Sequence, residues 1–334
     1  MSEQSTQEKQ AEIKPEYFQV AKQGIDALAN NVRSVITIHP QKLQWIIASK
    51  LAGGHVILAD AHGVGKTSLA RALAGSISWE SNTVTAEGVE LDPFNRVQCT
   101  VDLLPQDILG FNRYDMKSGQ QIFNRGPIFA HFVLCDEINL LTPKSQGSFL
   151  QVMEERMVTI EGRSYKIPDP FFIIATMNLR GAHLFPLPAP QLDRFMIRIS
   201  LGYPEEKDEI DIITKHGRMD GWAGFKPVVG ASELMAWQRL VDAVTIRPEV
   251  VAYIVRLMRK TRSYPGIISG ASPRSGIRMS RLARALALVR GLNYVTVDVV
   301  KELAIPVLSH RLELEDPTRS STDLIMGLLN EIKV

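Results

Sequence analysis

The chain has 334 residues, 45% of them apolar and 22% charged, proportions that suit a soluble globular protein and exclude global disorder or a collagen-like repeat. Its 38 basic and 36 acidic residues leave a net charge of +2, which supplies no general attraction to nucleic acid or anionic membrane. Two cysteines, Cys99 and Cys135, are too few for a disulfide framework or a four-cysteine zinc site and fit a reducing compartment.

The length predicts two domains. Residues 1–14 are polar and read as a flexible tail without the apolar core of a signal peptide. A helix is expected to start near Pro15. No apolar run approaches the ~18 residues of a membrane span, so a cytoplasmic protein is expected. Five short apolar runs, at residues 55–60, 96–100, 132–137, 171–177 and 196–201, predict strands buried on both faces. Helical patterns at 66–75 and 142–155 separate some of them, the second with Thr142 as N-cap and Pro143 in its first turn. This alternation predicts a three-layer α/β domain with a parallel sheet. Beyond residue 205 the pattern becomes helical, at 232–244, 248–262, 275–290 and 296–309, which predicts a smaller all-helical domain. The expected organisation is therefore a tail over 1–14, a core over 15–205 and a helical domain over 206–334.

Residues 60–67 read Asp-Ala-His-Gly-Val-Gly-Lys-Thr, between an apolar strand and a helix. That is the context of a phosphate loop. Glycines let backbone N–H groups converge on phosphate oxygens, and the helix N-terminus adds positive dipole. Lys66 is expected to reach the β- and γ-phosphates, and Thr67 to offer its hydroxyl to Mg²⁺. The pattern's first position carries Asp60 instead of glycine, and a carboxylate there is compatible with phosphate only if it points away.

The run 132–137 ends in Asp136 and Glu137. Carboxylates closing a buried strand face the crevice where α/β sheets bind ligands. Asp136 is expected to hold Mg²⁺, and Glu137 to polarise an attacking water. Asn178 ends the apolar run 171–177 and could bond the γ-phosphate or the water, the alternative being a turn-forming amide. Arg194 stands before the last strand, where it could stabilise phosphoryl-transfer charge in trans, or else form a salt bridge with Asp193 or another surface acid. Arg274 opens a helix, with Arg278 and Arg281 on the same face. Arg274 reads as closing onto the γ-phosphate, while a solvated basic face suffices for the other two.

These residues, in this order, resemble an AAA+ ATPase, and more closely the MoxR family. The resemblance runs from about Val35 to about Arg311 and is carried by GGHVILADAHGVGKTSLARALA, QCTVDLLPQDILG, RGPIFAHFVLCDEIN, QVMEERMVTIEG, PDPFFIIATMN, FPLPAPQLDRF, GASPRSG and YVTVDVVKELAIPVLSHR. It implies a P-loop AAA+ core with a five-stranded parallel sheet, followed by a helical lid. It also implies the cofactors ATP and Mg²⁺. Lys66 and Thr67 match Walker A, Asp136 and Glu137 match Walker B, and Asn178 matches sensor 1. Arg194 matches the trans arginine finger and Arg274 matches sensor 2, which is expected to act in cis. Ile36, His62, Gly63, Val64, Gly65 and Ser68 complete the implied nucleotide contacts.

The family implies a homo-oligomer, usually a hexameric ring, often working with von Willebrand factor A-domain proteins in chaperone-like maturation or remodelling. Two hairpins are expected, around 114–120 and 157–167, which in relatives project toward the central pore. Ile38, His39 and Leu140 depart from the family pattern near the adenine and after the DEIN motif. Rival readings are an MCM-like nucleic-acid motor, a nucleotide-gated binding module with little hydrolysis, and a motor subunit for metal insertion into tetrapyrroles. The near-neutral charge speaks against the first.

Overall fold

The computed structural model describes residues 15–60, 63–79, 83–178, 184–216, 222–316 and 318–333, and of residues 211, 215 and 216 the backbone alone. The expected tail over 1–14 and the loop residue His62 lie outside the described residues.

Two helices come first, α1 (Pro15–Val35) and α2 (Pro40–Leu51). Strand β1 (Val56–Ala59) then leads into α3 (Lys66–Gly75), whose bounds coincide with the sequence expectation. A short β2 (Ile77–Ser78) precedes β3 (Asp92–Gln98). The one-turn α4 (Pro105–Leu109) runs directly into a hairpin of β4 (Gly110–Asp115) and β5 (Gln120–Arg125). Strand β6 (Ala130–Asp136) is followed by α5 (Pro143–Glu155) and a second hairpin, β7 (Met157–Ile160) with β8 (Arg163–Lys166). Strand β9 (Phe172–Met177), the short α6 (Ala189–Leu192) and β10 (Ile197–Ile199) complete this part. Both hairpins stand where the sequence places them, and Asn112 of the first donates to Glu161 of the second at 2.9 Å.

Thereafter the chain is mostly helical. It runs through α7 (Glu206–His216), β11 (Val229–Gly230), α8 (Ala231–Leu240) and α9 (Pro248–Thr261). Then follow β12 (Ile267–Ser269), α10 (Pro273–Val289), α11 (Val297–Leu308), β13 (Glu313–Leu314) and α12 (Ser321–Glu331). The all-helical expectation is corrected in two details: β12 and β13 pair antiparallel among these helices, and β11 pairs parallel with β2 of the preceding part.

The main sheet has the order β10-β1-β9-β6-β3, with every neighbouring pair parallel. Alternation along β1 splits the core. Val56 and Leu58 join a cluster with α1, α2, α3 and the later helices, while Ile57 and Ala59 face α5 and the hairpins. The sheet is therefore the middle of three layers. The later helices are welded to the first face, where Trp45 of α2 and Arg290, just beyond α10, both donate to Glu302 of α11 at 2.7 Å.

Two local expectations shift. The second sheet strand in chain order, β3, starts at Asp92, four residues earlier than its apolar run, and is mostly half-exposed or exposed instead of buried on both faces, because it is an edge strand and tolerates Pro93. Thr142 occupies the N-cap of α5, but its hydroxyl donates to Ser145 Oγ at 3.4 Å instead of receiving a backbone amide. Among the described residues no helix is long and apolar enough to cross a membrane.

Candidate active site

All five parallel strands end on one edge, and the phosphate loop leaves that edge after β1. Gly63 and Gly65 both hold φ +82°, a left-handed conformation that glycine adopts without steric penalty. A Cβ at Gly63 would meet nothing within 4 Å, so the loop forms an open cradle. A Cβ at Gly65 would stand 3.3 Å from Ile36 Cδ1, which places Ile36 beneath the loop. Val64 is half-buried, as are Thr67 and Ser68 in the first turn of α3. Lys66 is buried, and its Nζ donates to the Asp60 carbonyl at 2.9 Å.

The Asp60 carboxylate turns away from this cradle. It accepts hydrogen bonds from Ser200 Oγ, from the Leu201 amide at 2.7 Å and from the Gly202 amide at 3.2 Å. The charge is thus spent on the segment just past β10, and the loop keeps its positive character.

At the end of β6, Asp136 is nearly buried and doubly held. Arg96 of β3 donates to Oδ2 through Nε at 3.1 Å and Nη2 at 2.7 Å, and Thr176 of β9 donates to Oδ1 at 2.7 Å. The same Thr176 hydroxyl accepts the Glu137 amide at 2.8 Å. Glu137 sits at φ +64°, which a residue with a Cβ adopts only when its surroundings enforce it. Asn178 is held by Asn139, whose Nδ2 donates to the Asn178 carbonyl at 2.7 Å. Oδ2 of Asp136 is taken up by its two bonds from Arg96, while Oδ1, with one bond from Thr176, retains a lone pair, and with Thr67 the donor set is all oxygen, as Mg²⁺ requires. Among the described residues no cluster of three or more His, Cys, Asp or Glu could cage a metal, so such an ion would take its other ligands from phosphates and water.

Sequence reasoning missed Arg96, Thr176 and Asn139. The first two carried a readable signal, since a polar residue inside an otherwise apolar strand needs a partner. Which partner they take depends on strand order, which the sequence does not state locally.

The structure does not bring the arginines to this edge. Arg194 Nε pairs with Glu154 Oε2 at 3.0 Å, and Arg274 Nη1 pairs with Glu154 Oε1 at 3.3 Å. Glu154 follows Met153, whose carbonyl faces His55 Nε2 at 3.4 Å immediately before β1. Arg278 donates to the Arg194 carbonyl at 2.9 Å, and Arg281 to the Ala52 carbonyl at 2.8 Å. All of these groups lie where strands begin, whereas Lys66 lies where they end. The four residues of β1 alone span about 13 Å. The expected cis closure of Arg274 over its own phosphate loop is therefore corrected: α10 packs against the opposite edge, beside Arg194.

That opposite edge is densely basic inside. Burial pushes the Lys50 pKa down to about 7, and Asp169 only partly offsets the effect. Burial, with Arg156 and Lys50 nearby, pushes the His55 pKa down to about 3. His55 is thus a neutral imidazole whose Nδ1 accepts the Ile173 amide at 2.9 Å. Arg278 is also lowered by burial.

Comparison with known proteins agrees with this architecture. Residues 55–197 match the ATPase family associated with various cellular activities (AAA), and residues 259–326 match the AAA lid domain. The chain is 35% identical to the uncharacterised protein YeaC of Bacillus subtilis (strain 168), over 86% of this chain and 88% of that protein. It is 34% identical to the chaperone MoxR1 of Mycobacterium tuberculosis, over 85% of this chain and 74% of the relative. A solved structure from Cytophaga hutchinsonii, described as a candidate ATPase, superposes with a TM-score of 0.85 at 28% identity, covering 95% of this chain and 97% of that one. The chain is a nucleotide-binding AAA ATPase and belongs to the MoxR family.

Proposed function

We propose that this chain hydrolyses ATP with Mg²⁺ at sites shared between neighbouring copies of a ring, and that the cycle drives chaperone-like remodelling of a protein partner. The observation that supports a shared site is the separation of the phosphate loop from Arg194 and Arg274 by the length of the sheet. One edge offers the phosphate cradle and the other offers two cations. Such a chain completes its site head to tail, an arrangement that closes into a ring. Six copies, the size the family resemblance implies, is our reading of that ring.

In this reading the amides of residues 63–67, Lys66 and the α3 dipole hold the phosphates, with Ile36, Val64 and Ser68 shaping the pocket. Thr67 and Asp136 would hold Mg²⁺, which supplies a Lewis acid that neutralises phosphate charge. Glu137 takes the proton of a water as its oxygen attacks the γ-phosphorus and the bond to the β-phosphate oxygen breaks. Thr176 fixes Glu137 and Asp136 together, and Asn178 orients the water. Arg194 and Arg274 of the neighbour stabilise charge on the equatorial oxygens. Their pairing with Glu154 is half-exposed and worth only ~0–1 kcal/mol, so it positions the cations without trapping them.

We assign residues 15–205 to the nucleotide-binding core and 206–334 to the lid. The remodelling role draws on the relative named a chaperone, and a von Willebrand factor A-domain protein is the partner class the resemblance suggests. We place the chain in the cytoplasm, where free buried thiols such as Cys99 and Cys135 are at home. The test is Glu137→Gln with purified protein. Phosphate release should fall at least ~100-fold while MgATP still binds. Unchanged release would remove Glu137 from the reaction and with it this account of the site.

A further inference from the structure

Among the described residues, two exposed surfaces complement each other. The first is a groove of about 570 Å³ between α9 and α10. Val251, Val255 and Ile277 give it apolar walls and are all exposed, Ile277 at 70%. Its polar margin carries Arg259, Arg262, Arg281 and Arg284 against the single carboxylate of Asp242. The second is α7, an acidic helix with Ile210 57% and Ile213 75% exposed. These two isoleucines are three residues apart and share one helix face. Glu206 and Glu209 stand one turn before them, both exposed. A helix with an apolar stripe and acidic flanks is the natural occupant of an apolar groove with a basic rim.

The two surfaces lie on opposite edges of the sheet. Helix α7 starts four residues beyond Gly202, whose amide donates to Asp60 at the base of the phosphate loop. The groove borders Pro273, the residue before Arg274, on the edge where strands begin. One copy cannot bring them together. A head-to-tail neighbour that offers Arg274 to the phosphate loop brings its groove to the α7 beside that loop.

We propose that the α9–α10 groove of each copy receives α7 of the next copy, with Ile210 and Ile213 seated between Val255 and Ile277. Glu206 and Glu209 then face the arginine rim. The contact is heterologous, so it repeats around a ring instead of closing a dimer. It rests on the shared-site reading and adds to it the segment that sets the docking of one copy on the next. Because α7 follows directly from the strand end that Asp60 grips, the same helix carries the state of the phosphate loop to the neighbour.

The experiment uses the full-length chain with Ile213→Cys, with Ile277→Cys, or with both, treated with a short bis-maleimide. The native thiols Cys99 and Cys135 are buried and leave the added cysteines as the reactive pair. Mixing the two single variants should give covalent dimers, and the double variant a ladder of higher multimers, with neither single variant crosslinking alone. In addition, Ile277→Glu should raise the concentration for half-assembly about tenfold. Mixing Lys66→Ala with Arg194→Ala chains separates the two claims. Regained ATPase without crosslinks in assembled protein overturns the docking and keeps the shared site. No regained ATPase and no assembly overturns both. Crosslinks from Ile277→Cys to a different co-purified protein assign the groove to a client and also overturn the proposal.

Discussion

Asp60 directs its carboxylate onto Leu201, 2.7 Å from that residue's amide nitrogen, and so ties the root of the phosphate loop to the segment beyond the last sheet strand. The acid accepts three hydrogen bonds there and is nearly buried. Asp60→Gly restores the residue usual at this position and should leave MgATP affinity within about threefold. It should lower folding stability by roughly 2 kcal/mol, since charge-assisted bonds to backbone amides are lost. Denaturant titration and nucleotide binding on the same variant check both halves. An affinity gain of a hundredfold would show that the carboxylate repels phosphate after all.

Thr176 serves two masters, donating to Asp136 and accepting from Glu137. Thr176→Val keeps the volume and removes both bonds. Glu137 then loses the contact that enforces its left-handed backbone. Turnover should fall about 10–100-fold with nucleotide affinity little changed. Thr176→Ser should retain most of the rate, because the hydroxyl remains. Equal losses in both variants would point to packing instead of positioning.

Arg274 provides a sharp contrast between cis and trans. In the geometry described, Arg274→Ala should bind MgATP like the parent in dilute, unassembled protein and lose hydrolysis in assembled protein by about 10³-fold. A cis contact would weaken binding even in the isolated chain. Equilibrium binding of a fluorescent ATP analogue, below and above the assembly concentration, distinguishes these.

His55 makes stability depend on acid. Unfolded, its imidazole takes up a proton near pH 6.5; folded, only near pH 3. The unfolded chain therefore binds the extra proton between those values, and stability falls as pH drops through that window, by at most about 1.4 kcal/mol per pH unit. His310, whose pKa burial also pushes well below the usual imidazole range, acts in the same direction. His55→Gln should flatten part of the slope in denaturation midpoints measured from pH 7.5 down to pH 4.5. A wild-type midpoint that stays level over this range would contradict the buried neutral imidazole.

What the chain reveals locally and what it conceals follow from range. Helix α3 has the bounds its sequence predicts because the loop glycines and Lys66 define its start within a few residues. Four of the five sheet strands fall on their apolar runs, whereas β3 shares only residues 96–98 with its run, because an edge strand need not be apolar. Helix α2 escaped notice although Pro40 marks its first turn, since its apolar stripe is short. The environment of Asp136 was hidden because Arg96 and Thr176 arrive from β3 and β9, the strands on either side of β6. Arg274 was read as a cis residue because its neighbours in sequence match a motif. Its actual edge is decided by contacts such as Arg281 with the Ala52 carbonyl, 229 positions away.

The claim that ATP is hydrolysed between copies is tested most directly by mixing two inactive chains. Lys66→Ala removes the phosphate cradle's cation and leaves the arginine edge intact; Arg194→Ala does the reverse. In an equimolar mixture roughly a quarter of the interfaces join an intact loop to an intact arginine. Phosphate release well above that of either variant alone is the predicted result. A mixture that assembles and remains as inactive as its parts would contradict a site completed by the neighbour.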